Sequence, residues 1–384
     1  MRFEFATATQ IVFGPGTLAE AGKLAVEWGH RAVVVTGRNP ARAQRLLVHL
    51  TAAGIATEIV TVDHEPSVDD VIRGVARARA FGADAVIGFG GGSAIDAAKA
   101  IAGLLTNDGA PLDYLEVVGQ GRPLSRPAAP WMAIPTTAGT GAEVTRNAVL
   151  AVPDRGVKVS LRSPHLLARV ALVDPELTLD LPPALTASTG FDALTQLLEA
   201  YVCNRANPLT DAIGAAGIPR AARALPLACR DGHDLAARSD LALASLWSGL
   251  ALANAGLGAV HGLAGPIGGL FPAPHGATCA ALLAPVMAAN IQALRSRAPQ
   301  SPALGRYAEI ARWLTGRGDA APELGVEWVR SLVAALGIPR LSAYGITAAH
   351  FEEIVTRAQQ ASSVKANPVV LTAGELSAAL TGAI

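Results

Sequence analysis

The sequence predicts an α/β N-terminal domain with a mostly parallel sheet, followed by an all-helical C-terminal domain. In the first half, short runs rich in β-branched residues alternate with helical stretches, which is typical of βαβ units. After Leu181-Pro182-Pro183 such runs nearly vanish, and long segments rich in Ala and Leu continue to the end. The length of 384 residues also favours two domains. We therefore expect domains at residues 1–180 and 181–384.

The individual elements follow from the same alternation. In the first domain, the pattern predicts strands at residues 32–36, 57–62, 84–88 and 131–135, with helices at 40–53, 68–80 and 94–105. A hairpin is predicted from residues 147–152 and 158–161, because a turn-like stretch separates them. In the second domain, helices are predicted at residues 183–203, 211–229, 234–256, 277–295, 303–314, 322–336 and 348–360.

The bulk composition argues against several classes of partner. Lys plus Arg and Asp plus Glu both number 31, so no excess of positive charge favours nucleic acid. We expect no membrane span, because the most apolar stretch, 241–269, is rich in Ala, Gly and Ser. The early Glu4 and the absence of an apolar stretch beside it argue against a signal peptide.

The cysteines indicate a reducing compartment. Cys203, Cys229 and Cys279 are odd in number and far apart, which fits neither a disulfide framework nor a clustered zinc motif. We therefore expect a cytoplasmic protein.

Two glycine- and threonine-rich segments each follow a predicted strand. The first, GFGGGS at residues 88–93, leads into a helix, where glycines let backbone N–H groups approach an anion. The second, PTTAGTGAE at residues 135–143, offers three hydroxyls for phosphate or ribose oxygens. Each alone also fits a turn or capped loop that binds nothing. Together, at the ends of two strands, they predict a dinucleotide site at the sheet edge.

This dinucleotide site departs from the usual Rossmann arrangement. No GxGxxG fingerprint follows the first predicted strand, since Gly14-Pro15-Gly16 precedes that strand. We therefore expect a variant layout of the cofactor site.

Metal-ligating residue types recur in the predicted helical half. Asp192 and Gln196 are spaced i,i+4 and share one helix face. His261 is expected late in an apolar helix, and His275 just before the next helix. One carboxylate, two imidazoles and a weak amide oxygen suit Fe²⁺ or Zn²⁺ acting as a Lewis acid. Taken singly, Asp192 also fits a surface carboxylate, His261 a core histidine, and His275 a helix-start residue without a ligand role.

The remaining histidines are expected at the surface or in loops. They are His30, His49, His64, His165, His233 and His350.

Four stretches carry a family resemblance. They are GGGSAIDAAKAIA (90–102), IPTTAGTGAEVT (134–145), GFDALTQLLEAYV (190–202) and HGLAGPIGGLFPAPHG (261–276). In order and spacing they resemble the iron-containing alcohol dehydrogenases, which have the dehydroquinate synthase-like fold. The resemblance covers nearly the whole chain. It implies hydride transfer between NAD(P) and a small alcohol, aldehyde or ketone, assisted by Fe²⁺ or Zn²⁺.

The resemblance also assigns residues to roles. It implies a pyrophosphate loop and further cofactor contacts at Gly91, Gly92, Ser93, Thr136, Thr137, Thr145 and Lys158. It implies metal ligands at Asp192, His261 and His275, with Gln196 where the family usually has a fourth ligand, a histidine.

Two departures from the family pattern affect the expected chemistry. Gln196 is a poorer donor than the usual histidine. Gly265 stands where the family often has a histidine that handles substrate and proton, so an obvious general acid/base is absent. We therefore expect the alcohol proton to leave through water or the ribose hydroxyls, while the bound ion holds the substrate oxygen and lowers the pKa of the alcohol.

The segment after the first predicted strand bears on cofactor choice. NAD-preferring members of the family often carry Asp there, whereas this chain has Gly37-Arg38. That pair removes a repulsion and adds a cation, so we expect Gly37 to adjoin the cofactor and NADP(H) to be accepted.

Three alternatives stay open at this stage. The first is a metal-independent NAD(P)H-dependent reductase of the maleylacetate reductase type. The second is a lyase resembling dehydroquinate synthase, which would need a basic substrate pocket. The third is a non-catalytic dinucleotide-binding protein. The few aromatics of the helical half fit an apolar pocket for a small molecule, and the family resemblance implies a homodimer.

Overall fold

The computed structural model describes residues 2–384, and its regular elements alternate in the order that the sequence predicts. Within that span the strands are β1 (Gln10–Phe13), β2 (Arg31–Thr36), β3 (Ala56–Thr61), β4 (Ala85–Gly90), β5 (Trp131–Pro135), β6 (Asn147–Val152), β7 (Val157–Arg162) and β8 (Val170–Val173). The early helices are α1 (Ala21–Ala25), α2 (Gln44–Ala52), α3 (Val68–Phe81), α4 (Gly92–Thr106) and α5 (Pro111–Tyr114). The later helices are α6 (Pro183–Val202), α7 (Pro208–Arg230), α8 (Leu235–Asn254), α9 (Ala259–Leu270), α10 (His275–Arg297), α11 (Pro302–Thr315), α12 (Pro322–Ala335), α13 (Phe351–Gln360), α14 (Ser362–Ala366) and α15 (Ala373–Ala383).

Over residues 2–384, the chain forms two compact units. The sheet unit comprises Ala6–Leu179. The helical unit comprises Asp180–Ile384 together with the N-terminal residues up to Phe5. The division lies beside the predicted residue 180, but the first few residues join the helical unit instead of the sheet unit.

The sheet unit contains a parallel sheet with the strand order β1-β8-β5-β4-β2-β3. Every pairing in it is parallel, so the predicted parallel α/β class is confirmed. Strands β6 and β7 form the predicted antiparallel hairpin. The sequence pattern did not predict β1 and β8, which have four residues each and so give little periodicity to detect.

The central strands are buried on both faces, as near-continuous apolar runs predict for a parallel sheet. Every residue of β4 is buried, and β2 is buried from its second residue onward. Gly88 in β4 permits close packing of α4, because a Cβ atom there would lie 2.8 Å from Ala98. The start of α4 is thereby held close to the end of β4.

The helical unit differs from the sequence prediction around His261. The apolar stretch does not form one helix ending near this residue, since α8 ends at Asn254 and α9 begins at Ala259. The two helices meet at 97°, and Gly256 between them has φ +135°, which favours glycine. His261 therefore lies early in its own helix. Apolar composition runs through the break, which is why periodicity alone did not show it.

Helix α10 lies in the core of the helical unit. It packs against α6, α9, α12 and α15. By length and composition it could cross a membrane, but 78% of its most apolar window is buried inside the protein. This burial is typical of a helix in the core of a domain.

Candidate functional site

The predicted glycine and threonine segments meet at one edge of the sheet. In parallel strands the carboxyl ends share an edge, and Gly90 at the end of β4 is paired with Pro135 at the end of β5. Thr136 N donates to Gly90 O at 2.9 Å. A Cβ atom on Gly91 would lie 3.4 Å from Thr137. The glycine loop (residues 90–93) therefore contacts the threonine loop (residues 136–141).

Helix α4 begins inside the glycine loop. Gly91 is its N-cap residue and has no side chain with which to cap the helix. Ser93 lies in the first turn and does not cap the helix. The N–H groups and positive end of a helix of this length suit an anion such as a diphosphate.

The other predicted cofactor residues have different surroundings. Thr145 is buried, and its hydroxyl accepts a hydrogen bond from Lys99 Nζ at 2.8 Å. Lys158 in β7 forms an ion pair with Glu65. Gly37 directly follows β2, and a Cβ atom on it would meet nothing within 4 Å. The structure thus joins the glycine and threonine loops, while Thr145 and Lys158 have protein partners.

Lys99 is a buried cation that the sequence analysis missed. It is fully buried, and its ammonium group donates to Ala142 O at 2.9 Å and Asn147 O at 2.7 Å as well as to Thr145. It holds the end of the threonine loop against α4. Its one sequence signal is a charge in the otherwise apolar stretch AAKAIA.

Burial changes the pKa values around Lys99. Burial lowers the pKa of Lys99, and the nearby Asp96 carboxylate opposes that change. Glu143 is 2% exposed, and burial raises its pKa to about 7. Buried titratable groups, Lys99 and Glu143, therefore lie beside the threonine loop, where a charge without a partner is costly.

Three helices of the helical unit bring metal-ligating atoms together. Asp192 of α6, His261 of α9, and His275 and Cys279 of α10 each offer one ligand atom, and these atoms all lie within 4.8 Å of one another. We call these four residues the donor cluster. Asp192 Oδ1 lies 3.3 Å from His261 Nε2 and 3.7 Å from His275 Nε2.

Cys279 is the member of the donor cluster that the sequence analysis did not propose. Its Sγ lies 3.8 Å from His261 Nε2 and 3.7 Å from His275 Nε2. The sequence signal is its i+4 spacing from His275, which places both on one face of a helix. The wide spacing of the three cysteines from one another hides this signal, because a metal motif is usually sought in clustered cysteines.

Glu199 supports the donor cluster from behind. Its Oε2 lies 2.6 Å from His261 Nδ1, and its Oε1 accepts from Val260 N at 2.7 Å. A proton on Nδ1 leaves the lone pair of Nε2 directed at the cluster, as in carboxylate–histidine–metal arrangements. The i+7 spacing from Asp192 on α6 is the signal that the sequence offers.

Gln196 lies beside the donor cluster, one turn after Asp192. Its Oε1 is 2.7 Å from Ser248 Oγ, which donates to it. The nearby amide also contributes a little to the lowered pKa of Asp192, after the larger effects of the two histidines. The amide oxygen of Gln196 therefore has a protein donor.

Glycines allow the helices around the donor cluster to approach one another. A Cβ atom on Gly276 would lie 2.2 Å from Ser188 O in α6, and one on Gly258 would lie 2.8 Å from Glu199 Oε1. The start of α10 and the start of α9 can thus approach α6 closely only with glycine at these positions.

Comparisons with known proteins agree with both regions. The model of the family "Iron-containing alcohol dehydrogenase" matches residues 8–175, and that of "Fe-containing alcohol dehydrogenase family, C-terminal" matches residues 186–384. The chain belongs to the iron-containing alcohol dehydrogenase family. It is an oxidoreductase that moves a hydride between a nicotinamide cofactor and a small alcohol or carbonyl compound.

Individual relatives span most or all of the chain. Long-chain-alcohol dehydrogenase 1 of Geobacillus thermodenitrificans is 38% identical over 347 residues, covering 88% of this chain and 83% of the relative. A crystal structure of 1,3-propanediol oxidoreductase superposes with a TM-score of 0.93 at 32% identity, covering 100% of both chains. Sulfoacetaldehyde reductase from Bifidobacterium kashiwanohense, in complex with NAD⁺, superposes with a TM-score of 0.88 at 28% identity, covering 100% of this chain and 99% of that one.

In this family member, the charged groups of the donor cluster shift one another's pKa values. Burial opposes the charge of Asp192, but His275 and His261 outweigh it and hold the pKa of Asp192 below its usual value. The Cys279 thiolate raises the pKa of His275 to about 9. Burial likewise opposes the Cys279 thiolate, yet the two imidazoles lower the pKa of this thiol.

The donor cluster has the composition and shape of a site for a divalent cation. Asp192 and Cys279 are buried, whereas the side chain of His275 is 43% exposed, so one side of the cluster is open to solvent. Carboxylate, imidazole and thiol groups that converge on one point suit Zn²⁺ or Fe²⁺. The side chains present therefore fit the metal that the family name implies.

Proposed function

We propose that the donor cluster holds a divalent cation for the reversible oxidation of a small alcohol, with the nicotinamide dinucleotide bound through the glycine and threonine loops. The convergence of the four ligand atoms within 4.8 Å carries this proposal. When bound, the cation supplies Lewis acidity that lowers the pKa of an alcohol, and the nicotinamide accepts the hydride.

The chain's own residues prepare this chemistry. Glu199 fixes the ring and tautomer of His261. The N-terminal turn of α4, with Gly91 and Gly92, would hold the diphosphate through its backbone N–H groups. These groups are positioned before the substrate arrives, so little reorganisation accompanies the reaction.

The alcohol proton leaves to water or to the ribose hydroxyls. Gly265, in the position of the family's further histidine, is exposed and carries no side chain. A Cβ atom there would meet nothing within 4 Å, so solvent can occupy that space. A solvent isotope effect abolished by mutating one particular side chain would contradict this route.

A metal-depletion assay tests the proposed function. The purified protein is assayed with a panel of alcohols and aldehydes, with NADH and NADPH, before and after dialysis against a chelator. We expect activity to be lost with the metal and restored by Fe²⁺ or Zn²⁺. Undiminished NAD(P)H oxidation by metal-free protein would overturn the proposal and favour a reductase of the maleylacetate reductase type.

We further propose that NADP(H) is accepted as well as NAD(H). Arg38 follows β2 at the carboxyl edge of the sheet, is exposed, and donates to Asp63 O at 3.2 Å. A cation beside Gly37 would attract a 2′-phosphate. Arg38→Ala should lower kcat/KM for NADPH about tenfold or more, one charged contact being worth ~1.5–3 kcal/mol, while sparing NADH.

Arg42→Ala is the control for Arg38→Ala. Arg42 is also exposed but donates to Leu177 O. An equal loss with both nucleotides in Arg38→Ala, or the same loss in Arg42→Ala, would contradict a role in cofactor choice.

The remaining proposals concern the substrate and the assembly. The names of the relatives, which include a long-chain-alcohol dehydrogenase and a 1,3-propanediol oxidoreductase, favour primary alcohols and their aldehydes as the first members of the panel. We propose a homodimer, as the family resemblance implies, working in the cytoplasm, where the free cysteines stay reduced. Light scattering of the purified protein would test the dimer, and a monomer mass would contradict it.

A further inference from the structure

The donor cluster contains a sulfur atom where the family pattern has no ligand. Building on the metal site of the proposed function, we propose that Cys279, and not Gln196, is the fourth protein ligand. The ion would then be held by one carboxylate, two imidazoles and one thiolate, a set that favours Zn²⁺ over Fe²⁺.

The distances between donor atoms fit a tetrahedral site. Metal–ligand bonds of about 2.0–2.3 Å place neighbouring donors of a tetrahedron roughly 3.3–3.8 Å apart. Cys279 Sγ lies 3.8 Å and 3.7 Å from the Nε2 atoms of His261 and His275, and Asp192 Oδ1 lies 3.3 Å and 3.7 Å from the same two atoms. These four distances match the edges of a tetrahedron, and all four donor atoms lie within 4.8 Å of one another. The sulfur atom is thus placed to occupy one corner of the site.

The surroundings of Gln196 make it a weaker candidate for that corner. Its carbonyl oxygen accepts a hydrogen bond from Ser248 Oγ at 2.7 Å, so this oxygen already has a protein donor. A neutral amide is also a poorer donor to a metal than a thiolate. Cys279 is therefore the better candidate for the fourth corner.

The charges around the donor cluster are compatible with a thiolate ligand. Asp192 is 2% exposed and Cys279 is fully buried, while the side chain of His275 is 43% exposed. The further carboxylate of Glu199 contacts His261 Nδ1, on the far side of that ring from the cluster. A bound divalent cation would stabilise the buried Cys279 thiolate, whose charge is costly without a partner.

The thiolate changes which metal the site prefers. Carboxylate and imidazole donors alone suit Fe²⁺ as well as Zn²⁺, while a thiolate shifts preference towards Zn²⁺. We therefore expect this chain to retain Zn²⁺ when both ions are offered anaerobically at equal concentration, and Cys279→Ser to lose much of that preference.

Spectroscopy of the Co²⁺-loaded protein tests the ligand directly. Thiolate coordination to Co²⁺ gives an intense charge-transfer absorption in the near ultraviolet, which carboxylate and imidazole ligands do not give. We expect this absorption in the wild type and in Gln196→Ala, and its loss in Cys279→Ser. Cys203→Ser is the matched control, since Cys203 is also a buried free cysteine but lies outside the donor cluster.

Metal affinity separates this inference from the proposed function. Cys279→Ser should weaken Co²⁺ binding ~100-fold or more. Loss of a residue that only supports a metal ligand already weakens binding by up to about 100-fold, and loss of a ligand should cost at least as much. Stoichiometric Co²⁺ binding by the wild type without the charge-transfer absorption would overturn the role of Cys279 and leave the metal site intact. Absence of Co²⁺, Zn²⁺ and Fe²⁺ binding by the wild type would instead overturn the proposed metal site itself.

The zinc-loaded wild type provides a test that needs no variant. X-ray absorption spectroscopy should find one sulfur neighbour at about 2.3 Å from zinc, together with nitrogen and oxygen neighbours at about 2.0–2.2 Å. A first shell of nitrogen and oxygen alone would contradict the inference even if Cys279→Ser fails to fold.

Discussion

The glycine and threonine loops of the sheet unit and the donor cluster of the helical unit are built in different ways. Each loop is a continuous segment that directly follows one strand, and the pairing of Gly90 with Pro135 aligns the two. The donor cluster instead takes one residue each from α6 and α9 and two from α10, which are far apart in sequence. The residue types of a continuous segment can be seen directly in the sequence. The residues of a dispersed cluster come together only through the way in which the helices pack.

This difference predicts separable losses of function. Asp192→Asn removes the buried anion of the donor cluster and should lower kcat/KM about 10³-fold, or ~4 kcal/mol, as expected when Lewis-acid assistance is lost. Gly92→Val should weaken dinucleotide binding about tenfold or more, because even a Cβ atom there lies 3.0 Å from Thr140.

Two binding measurements decide whether the losses are separable. Asp192→Asn should keep the Kd for the dinucleotide, measured by fluorescence titration, and Gly92→Val should keep its metal content, measured by elemental analysis. If either variant lost both properties, the two regions would not be independent.

The buried charges beneath the threonine loop predict a pH-dependent stability. The pKa of Glu143 is raised by burial to about 7 in the folded protein, from a usual value of 4.5. The stability contributed by its neutral form is present below pH 4.5 and is lost as pH rises to about 7. Because a difference of one pKa unit corresponds to roughly 1.4 kcal/mol, this loss of folding free energy is on the order of 3 kcal/mol.

Substitution of Glu143 tests that prediction. Glu143→Gln should be more stable than the wild type above pH 7 and should differ little from it below pH 4.5, as measured by urea unfolding across that range. Glu352→Gln, on an exposed residue of α13, is the control and should follow the wild-type curve. A pH-independent difference between Glu143→Gln and the wild type would contradict the role of burial.

Glu199 tests how far the donor cluster depends on residues outside it. Glu199→Gln replaces the carboxylate behind His261 and should weaken metal binding about 10–100-fold, with the fold retained. Competition with a chromogenic chelator measures this change. Glu327→Gln, on a surface carboxylate of α12 that pairs with Arg330, should bind metal like the wild type. Equal affinity in the two variants would show that the His261 ring needs no carboxylate.

Two exposed glycines of the helical unit test local backbone effects alone. A Cβ atom on Gly305 or Gly337 would meet nothing within 4 Å. Gly305 lies inside α11, so Gly305→Ala should stabilise the protein by ~0.5–1 kcal/mol. Gly337 has φ +66°, so Gly337→Ala should destabilise it by about 1 kcal/mol. Thermal unfolding measures both, and shifts of the same sign would mean that backbone conformation does not control them.

Much of the fold and part of the site followed from sequence patterns. The parallel α/β class, the hairpin and the change to helices near residue 180 were predicted, because β-branched runs and turn residues report local structure. Helix α9 was missed as a separate helix, since apolar composition continues from α8 across the break. Cys279 and Glu199 were missed for another reason: their chemistry depends on neighbours from distant helices, and spacing within one helix indicates a face but not what lies opposite.

The sequence by itself determined which segments are rich in glycine and threonine after a strand and which contain metal-ligating residue types, because both follow from local composition and element order. Only the tertiary structure decided which side chains share a site. Packing of α6, α9 and α10 through glycines brings Cys279 into the donor cluster and turns Gln196 towards Ser248. The physical reason is that coordination needs several donor atoms within a few ångströms of one point, and the chain sets that distance only when its helices pack.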